Sequence, residues 1–231
     1  MIPALLFWLN RKYGNDFRKY FWQKAINSYS FLKRWIIPAT VLLLFLLTIL
    51  IARSQEKQLL YKVYRNDNQI GETKVIYSQD STHCRIKAIS DAKFRIIFSF
   101  AISDIEEVQL LNNRMIFSSM NRKLNGSEKI NHQTWISGNS YFFNNSNRSI
   151  VSPYYPVNFH LLQLYIKEPV NVQRVYSENY QQFLELIKTG THSYRLLIPG
   201  GDYTEFLYDH GLCSRVNMSY TFYSVTMILQ H

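Results

Sequence analysis

Eighteen consecutive residues without a formal charge, Trp35 to Ala52 (WIIPATVLLLFLLTILIA), constrain this chain more than any other feature. As a helix rising about 1.5 Å per residue, the run reaches roughly 27 Å, close to the hydrocarbon thickness of a bilayer, about 30 Å. The expectation is one transmembrane helix over 35–52, a signal anchor. Ahead of it stand Arg11, Lys12, Arg18, Lys19, Lys24, Lys33 and Arg34 against the single acid Asp16. Basic excess marks the cytoplasmic side. Residues 1–34 are therefore read as a basic, aromatic cytoplasmic segment and 55–231 as an extracytoplasmic domain. In a bacterium this makes a single-pass inner-membrane protein with its C-terminal domain in the periplasm.

Two readings of the front segment compete. Leu9, Tyr13, Phe17, Tyr20 and Phe21 recur at helical spacing with Arg18, Lys19 and Lys24 on other faces, as in a helix lying on the membrane surface. Alternatively the start codon is misassigned, although no Met stands between Met1 and Met115. Ala52-Arg53-Ser54 offers small residues where a signal peptidase cleaves. The run is longer than the 7–15 residues of a cleaved signal, however, which favours retention.

Charge follows the same division. Residues 1–54 hold eight basic and one acidic residue, +7 of the formal +10, which leaves +3 for the outer domain. Nucleic-acid binding needs its basic surface on the folded part, so the excess is assigned to the membrane instead.

From Leu59 the hydrophobic period becomes two, the mark of half-buried strands. Turn pairs punctuate it: Asn66-Asp67-Asn68, Asn112-Asn113, Asn125-Gly126, Thr189-Gly190, Gly200-Gly201 and His210-Gly211. About eleven strands follow, with Phe94–Leu111 read as one long strand bent near Ser99–Ser103. Between the seventh and eighth, NFHLLQLYIKE reads as a short helix capped by Asn158, its apolar face packing on the sheet or plugging a barrel. The expected fold class is mainly β, a curled antiparallel sheet or partly closed barrel with one short helix behind the membrane anchor. A flat sheet of that size would leave long edges exposed.

YKVYRNDNQIGETKVIYS, FRIIFSF with DIEEVQLLNNRMIFSS, and EFLYDHGLCSRVNMSY resemble exported bacterial β-rich families known only as domains of unknown function. The resemblance spans roughly Leu59 to Tyr223. It implies a secreted or membrane-tethered antiparallel β domain related to the half-barrels of lipoprotein carriers. It brings no catalytic residues.

No GxxxxGK, GxGxxG, HExxH or GxSxG motif is present. Asp104 and Glu106 share a strand face at roughly 7 Å, close enough to flank a substrate bond, but Glu107 beside them suggests an exposed acidic face. His210 with Cys213 and His83 with Cys84 would make a zinc set only by converging, and no metal or other cofactor is expected. Cys84 and Cys213 could equally form a disulfide across the oxidising compartment or remain separate buried thiols. Tyr141, Phe143, Tyr154 and Tyr155 are the candidate ligand-binding residues, lining the mouth of an apolar pocket, with core packing as the alternative. The function expected is non-catalytic: binding a lipid or lipoprotein, or holding a protein partner at the envelope. The rival is an envelope hydrolase or transferase built on an unrecognised carboxylate or histidine site.

Overall fold

The computed structural model describes residues 11, 19, 23, 56–95, 99–138, 140–145, 148–153, 156–221 and 223–230. Its strands all lie in the unit Ser54–His231. The anchor expected over 35–52 falls outside the described residues, as do most of 1–34. Among the described residues no helix is long and apolar enough to cross a membrane.

Asn and Gly pairs adopt positive φ, and each reverses the chain within two residues. Asn66 and Asp67 sit at φ 47° and 62°, Asn112 and Asn113 at 50° and 61°, Asn125 and Gly126 at 50° and 80°. They join β1 (Lys57–Arg65) to β2 (Asn68–Gln79), β4 (Ser99–Leu111) to β5 (Arg114–Leu124), and β5 to β6 (Ser127–Ser137), with β3 (His83–Arg95) paired between β2 and β4. β7 (Ser140–Asn145) and β8 (Arg148–Pro153) complete the first run. The helix α1 (Gln163–Ile166) precedes β9 (Arg174–Ser177), β10 (Gln182–Gly190) and β11 (Ser193–Leu197). The last strands are β12 (Tyr203–Asp209), β13 (Leu212–Tyr220) and β14 (Tyr223–Gln230).

All fourteen strands form one antiparallel sheet in the order β8-β7-β6-β5-β4-β3-β2-β1-β14-β13-β12-β11-β10-β9. Among the described residues only the β1–β14 pairing, Leu60 opposite Gln230 to Tyr64 opposite Thr226, joins strands distant in sequence. The sheet is not closed, since β8 and β9 end it without pairing. The segment between them covers β9 instead. Tyr176 N–H donates to Phe159 O at 2.9 Å and Leu161 N–H to Tyr176 O at 2.8 Å, occupying an edge that would otherwise expose its amides.

Several expectations are corrected. Fourteen strands replace eleven, because β8 and β9 lie in stretches assigned to no strand and the final strand divides at Thr221. The supposed bend in Phe94–Leu111 is a full reversal, with Arg95 opposite Ser99. Asn158 caps nothing: the helix begins at Gln163 after Leu162, which makes no side-chain cap. The turn before it is shaped by the backbone N–H of His160, which donates to Gln163 Oε1 at 2.8 Å. In β13, a register shift opposite Leu207 and Tyr208 interrupts the alternation, so the buried residues Cys213 and Val216 stand three apart.

The Ile70-Gly71 pair has a steric cause. A Cβ on Gly71 would stand 2.0 Å from Asp91 O on the neighbouring strand, so β2 and β3 can approach this closely only at a glycine.

The core lies on the concave face, where Tyr61, Ile86, Val108, Leu110, Met115, Leu164, Leu196, Phe206 and Val216 are buried. α1 packs inside it. Tyr208 OH donates to Leu164 O at 2.8 Å, and the Tyr165 ring meets Tyr61 and Phe206 edge-on at 5.5 and 6.2 Å.

Candidate functional site

Period-two alternation sends Glu107 outward and Asp104 and Glu106 inward. Glu107 takes a bidentate contact from Arg85 at 3.0 and 3.1 Å on the outer face. The acidic face expected to be exposed is therefore split by the sheet, and its other two carboxyls line a cavity of about 480 Å³ inside the curl. Val63, Ala88, Met120, Phe206 and Met218 supply apolar wall. Arg122, directly across the ladder from Asp104, grips it at 2.9 and 2.7 Å. Its positive charge is thereby occupied.

Glu106 has no such partner. Its side chain is 13% exposed, and its Oε1 is buried without a hydrogen bond. Burial first, then the nearby Glu178 and Asp104, push its pKa up to about 8 against the pull of Arg122. At neutral pH the carboxyl is mostly protonated. On its far side His160 Nε2 lies 3.9 Å from Oε1, too distant for a hydrogen bond. The Leu162 N–H donates to His160 Nδ1 at 3.2 Å, which leaves the ring proton on Nε2. Burial holds that imidazole down to about 3, so it is neutral.

Next to this group stands a second buried carboxyl. Glu178, 0% exposed and just beyond β9, receives hydrogen bonds from Ser118 on β5, from Thr134 on β6 at 2.9 Å and from Gln181 at 3.3 Å. Tyr176 OH and Thr134 Oγ1 are 3.0 Å apart, and because the Thr134 proton goes to Glu178, Tyr176 is the donor. His132 Nδ1 reaches the Glu178 carbonyl at 3.1 Å. Side chains thus clasp β9 to β5 and β6, where backbone pairing stops. Burial raises the Glu178 pKa, and its donors oppose that rise. Ser177 and Asn179, flanking Glu178 in sequence, line the cavity and carry buried oxygens, Oγ and Oδ1, with no hydrogen-bond partner.

The aromatic candidates stand elsewhere. Tyr141 is buried in the core, donating to Met115 O at 2.8 Å, and Phe143 packs 6.5 Å from it. Neither lines the cavity. Tyr154 and Tyr155 lie outside the described residues. Cys84 and Cys213 are free thiols, and β2, β1 and β14 stand between their strands. The candidate disulfide is not formed, since three intervening strands exceed the roughly 4.4–6.8 Å Cα separation that a disulfide spans. Among the described residues no three His, Cys, Asp or Glu groups converge as a metal site. Sequence reasoning missed Glu178, Ser177 and Asn179 because SENYQQ reads as an ordinary polar turn. Only its burial shows its role.

An open antiparallel sheet curled around an interior helix, with a cavity ending in unpaired polar groups, defines a β-barrel-like domain. The chain belongs to the family described as Domain of unknown function (DUF6134), which it matches over residues 61–230. In fold it is similar to a crystal structure from Brucella abortus, a beta-barrel-like protein of the Domain of Unknown Function DUF1849. The two share 6% identity over 77% of this chain and 96% of that chain, with a TM-score of 0.50. At that identity the likeness concerns the fold alone. No curated protein matches the chain.

Proposed function

We propose that this is a non-catalytic binding protein of the bacterial envelope, anchored in the inner membrane by residues 35–52, with the β domain in the periplasm. Its cavity holds the apolar body of an amphiphile such as a lipid or the acyl part of a lipoprotein. The observation that carries this reading is the interior space of about 480 Å³. It falls within the roughly 300–1,000 Å³ usual for small-molecule sites and combines apolar walls with a few convergent polar groups. Catalysis by a Glu106–His160 pair is disfavoured because His160 is fully buried and its Nε2 stands 3.9 Å from Glu106 Oε1, beyond hydrogen-bond distance.

Native mass spectrometry of the full chain released from detergent tests the proposal. A lipid-sized adduct is expected, and it should be missing in Ala88→Phe, which fills the cavity from a wall position. A bare mass for the parent chain, with no uptake of added lysolipid, would refute lipid binding and favour a scaffold for a protein partner.

A further inference from the structure

Three buried oxygens lie on residues that line this one cavity and lack any hydrogen-bond partner: Glu106 Oε1, Ser177 Oγ and Asn179 Oδ1. A fourth unpartnered buried atom, the His160 Nε2 donor, stands 3.9 Å from Glu106 Oε1, beyond hydrogen-bond reach. Buried polar atoms are nearly always paired, so three unpaired oxygens on residues of one cavity point to a further donor group. Ser177 is 0% exposed, which leaves its hydroxyl no recourse to bulk water. Each of the three can accept a hydrogen bond. A primary ammonium carries three donors and no acceptor, the kind of group those oxygens lack.

Charge points the same way. The cavity is lined by four acids, Glu72, Asp91, Asp104 and Glu106, against two bases, Arg122 and Lys129. Arg122 is committed to Asp104 by two hydrogen bonds, so the inner end offers an anion little. With Glu106 mostly protonated and Asp104 paired with Arg122, Glu72 and Asp91 stand against Lys129, and this excess of negative charge favours a cation. The groups facing Glu106 are His160 at 3.9 Å together with Glu178, Asp104 and Arg122.

Resting on the amphiphile-binding reading, the structure assigns the ligand a primary ammonium: we propose that Glu106, Ser177 and Asn179 receive the –NH₃⁺ end of an amphiphile whose chain lies among the cavity's apolar walls. Binding would ionise Glu106, moving its proton to solvent while the ligand keeps its own. Two sources share this chemistry, a free long-chain amine and an ethanolamine lipid headgroup, which adds a phosphate.

The test is calorimetric titration of the full chain in detergent at pH 7 with dodecylamine, dodecanol, dodecanoate and lyso-phosphatidylethanolamine, in two buffers of different ionisation enthalpy. Dodecylamine should bind roughly tenfold to a hundredfold more tightly than dodecanol, the worth of one charge-assisted hydrogen bond. Buffer dependence should show close to one proton released per amine bound. Glu106→Gln should abolish both the preference and the release while dodecanol binding persists. Equal binding of amine and alcohol, or tightest binding of dodecanoate, would overturn the ammonium assignment and leave the amphiphile reading standing. Failure of all four to bind would remove that reading too. Lyso-phosphatidylethanolamine binding more weakly than dodecylamine would identify the free amine as the source, and the reverse order the headgroup.

Discussion

The interior has two ends that treat polar groups in opposite ways. At the packed end, Tyr61, Tyr141 and Tyr208 each bury a ring and spend the hydroxyl on a carbonyl: Cys213 O at 2.7 Å, Met115 O at 2.8 Å and Leu164 O at 2.8 Å. At the cavity end, Glu106, Ser177 and Asn179 bury oxygens that bond to nothing. One sheet supplies both, and strand composition is not what separates them. The helix α1 lies against the first end and fills it. The contrast locates stability at one pole and an unrelieved electrostatic cost at the other, the pole where the amphiphile is proposed to bind.

Truncation should expose this difference most strongly. Leu164→Ala, at a fully buried position of α1, is expected to cost about 2–5 kcal/mol. Met120→Ala, on a wall already facing empty space, should cost less than half as much, because fewer contacts are lost. Guanidinium midpoints of the two variants compare the poles directly. Equal losses would break the comparison.

Acid–base titration reads the cavity end alone. Glu106 is raised from 4.5 to about 8, so its protonated form favours the folded state. That contribution is fully present below pH 4.5 and is lost as pH rises towards 8. Glu106→Gln, which carries no titrating proton, should therefore flatten the decline in stability between pH 5 and 8. At pH 7 the variant should be more stable than the parent by on the order of 3 kcal/mol. A destabilised variant would show that the carboxyl has a structural partner.

Hydroxyl deletions give a smaller contrast. Tyr208→Phe strands the Leu164 carbonyl and should cost about 1–3 kcal/mol. Ser177→Ala removes an atom with no partner, and thermal melts should find it neutral or stabilising. The smallest effect belongs to the outer surface. Glu205→Gln breaks the cross-strand pair with Arg195, whose contact is 2.5 Å, and should shift the same melts least of all because both side chains meet solvent.

The turns were legible from residues 66–67, 112–113 and 125–126 alone, since Asn, Asp and Gly tolerate positive φ and a two-residue reversal is a local event. Strand alternation was equally local: Cys84, Ile86 and Ala88 share the inner side of β3 as their spacing implies. β8 and β9 escaped because each is short and one carries Pro153, so neither spans enough residues for a period to emerge. The family resemblance read from the opening and closing hairpins agrees with the match over 61–230.

Alternation separates one face from the other without saying which is inside, and so it left Asp104 and Glu106 beside Glu107 as a supposed outer patch. Curvature decides that, and curvature belongs to the whole sheet. Local sequence fixes φ and the period of burial because those depend on neighbours along the chain. Only the tertiary structure brings β1 to β14, clasps β9 to β5 and β6 through Glu178, and leaves three oxygens unpaired in one cavity, because each depends on groups tens to more than a hundred residues apart meeting out of water.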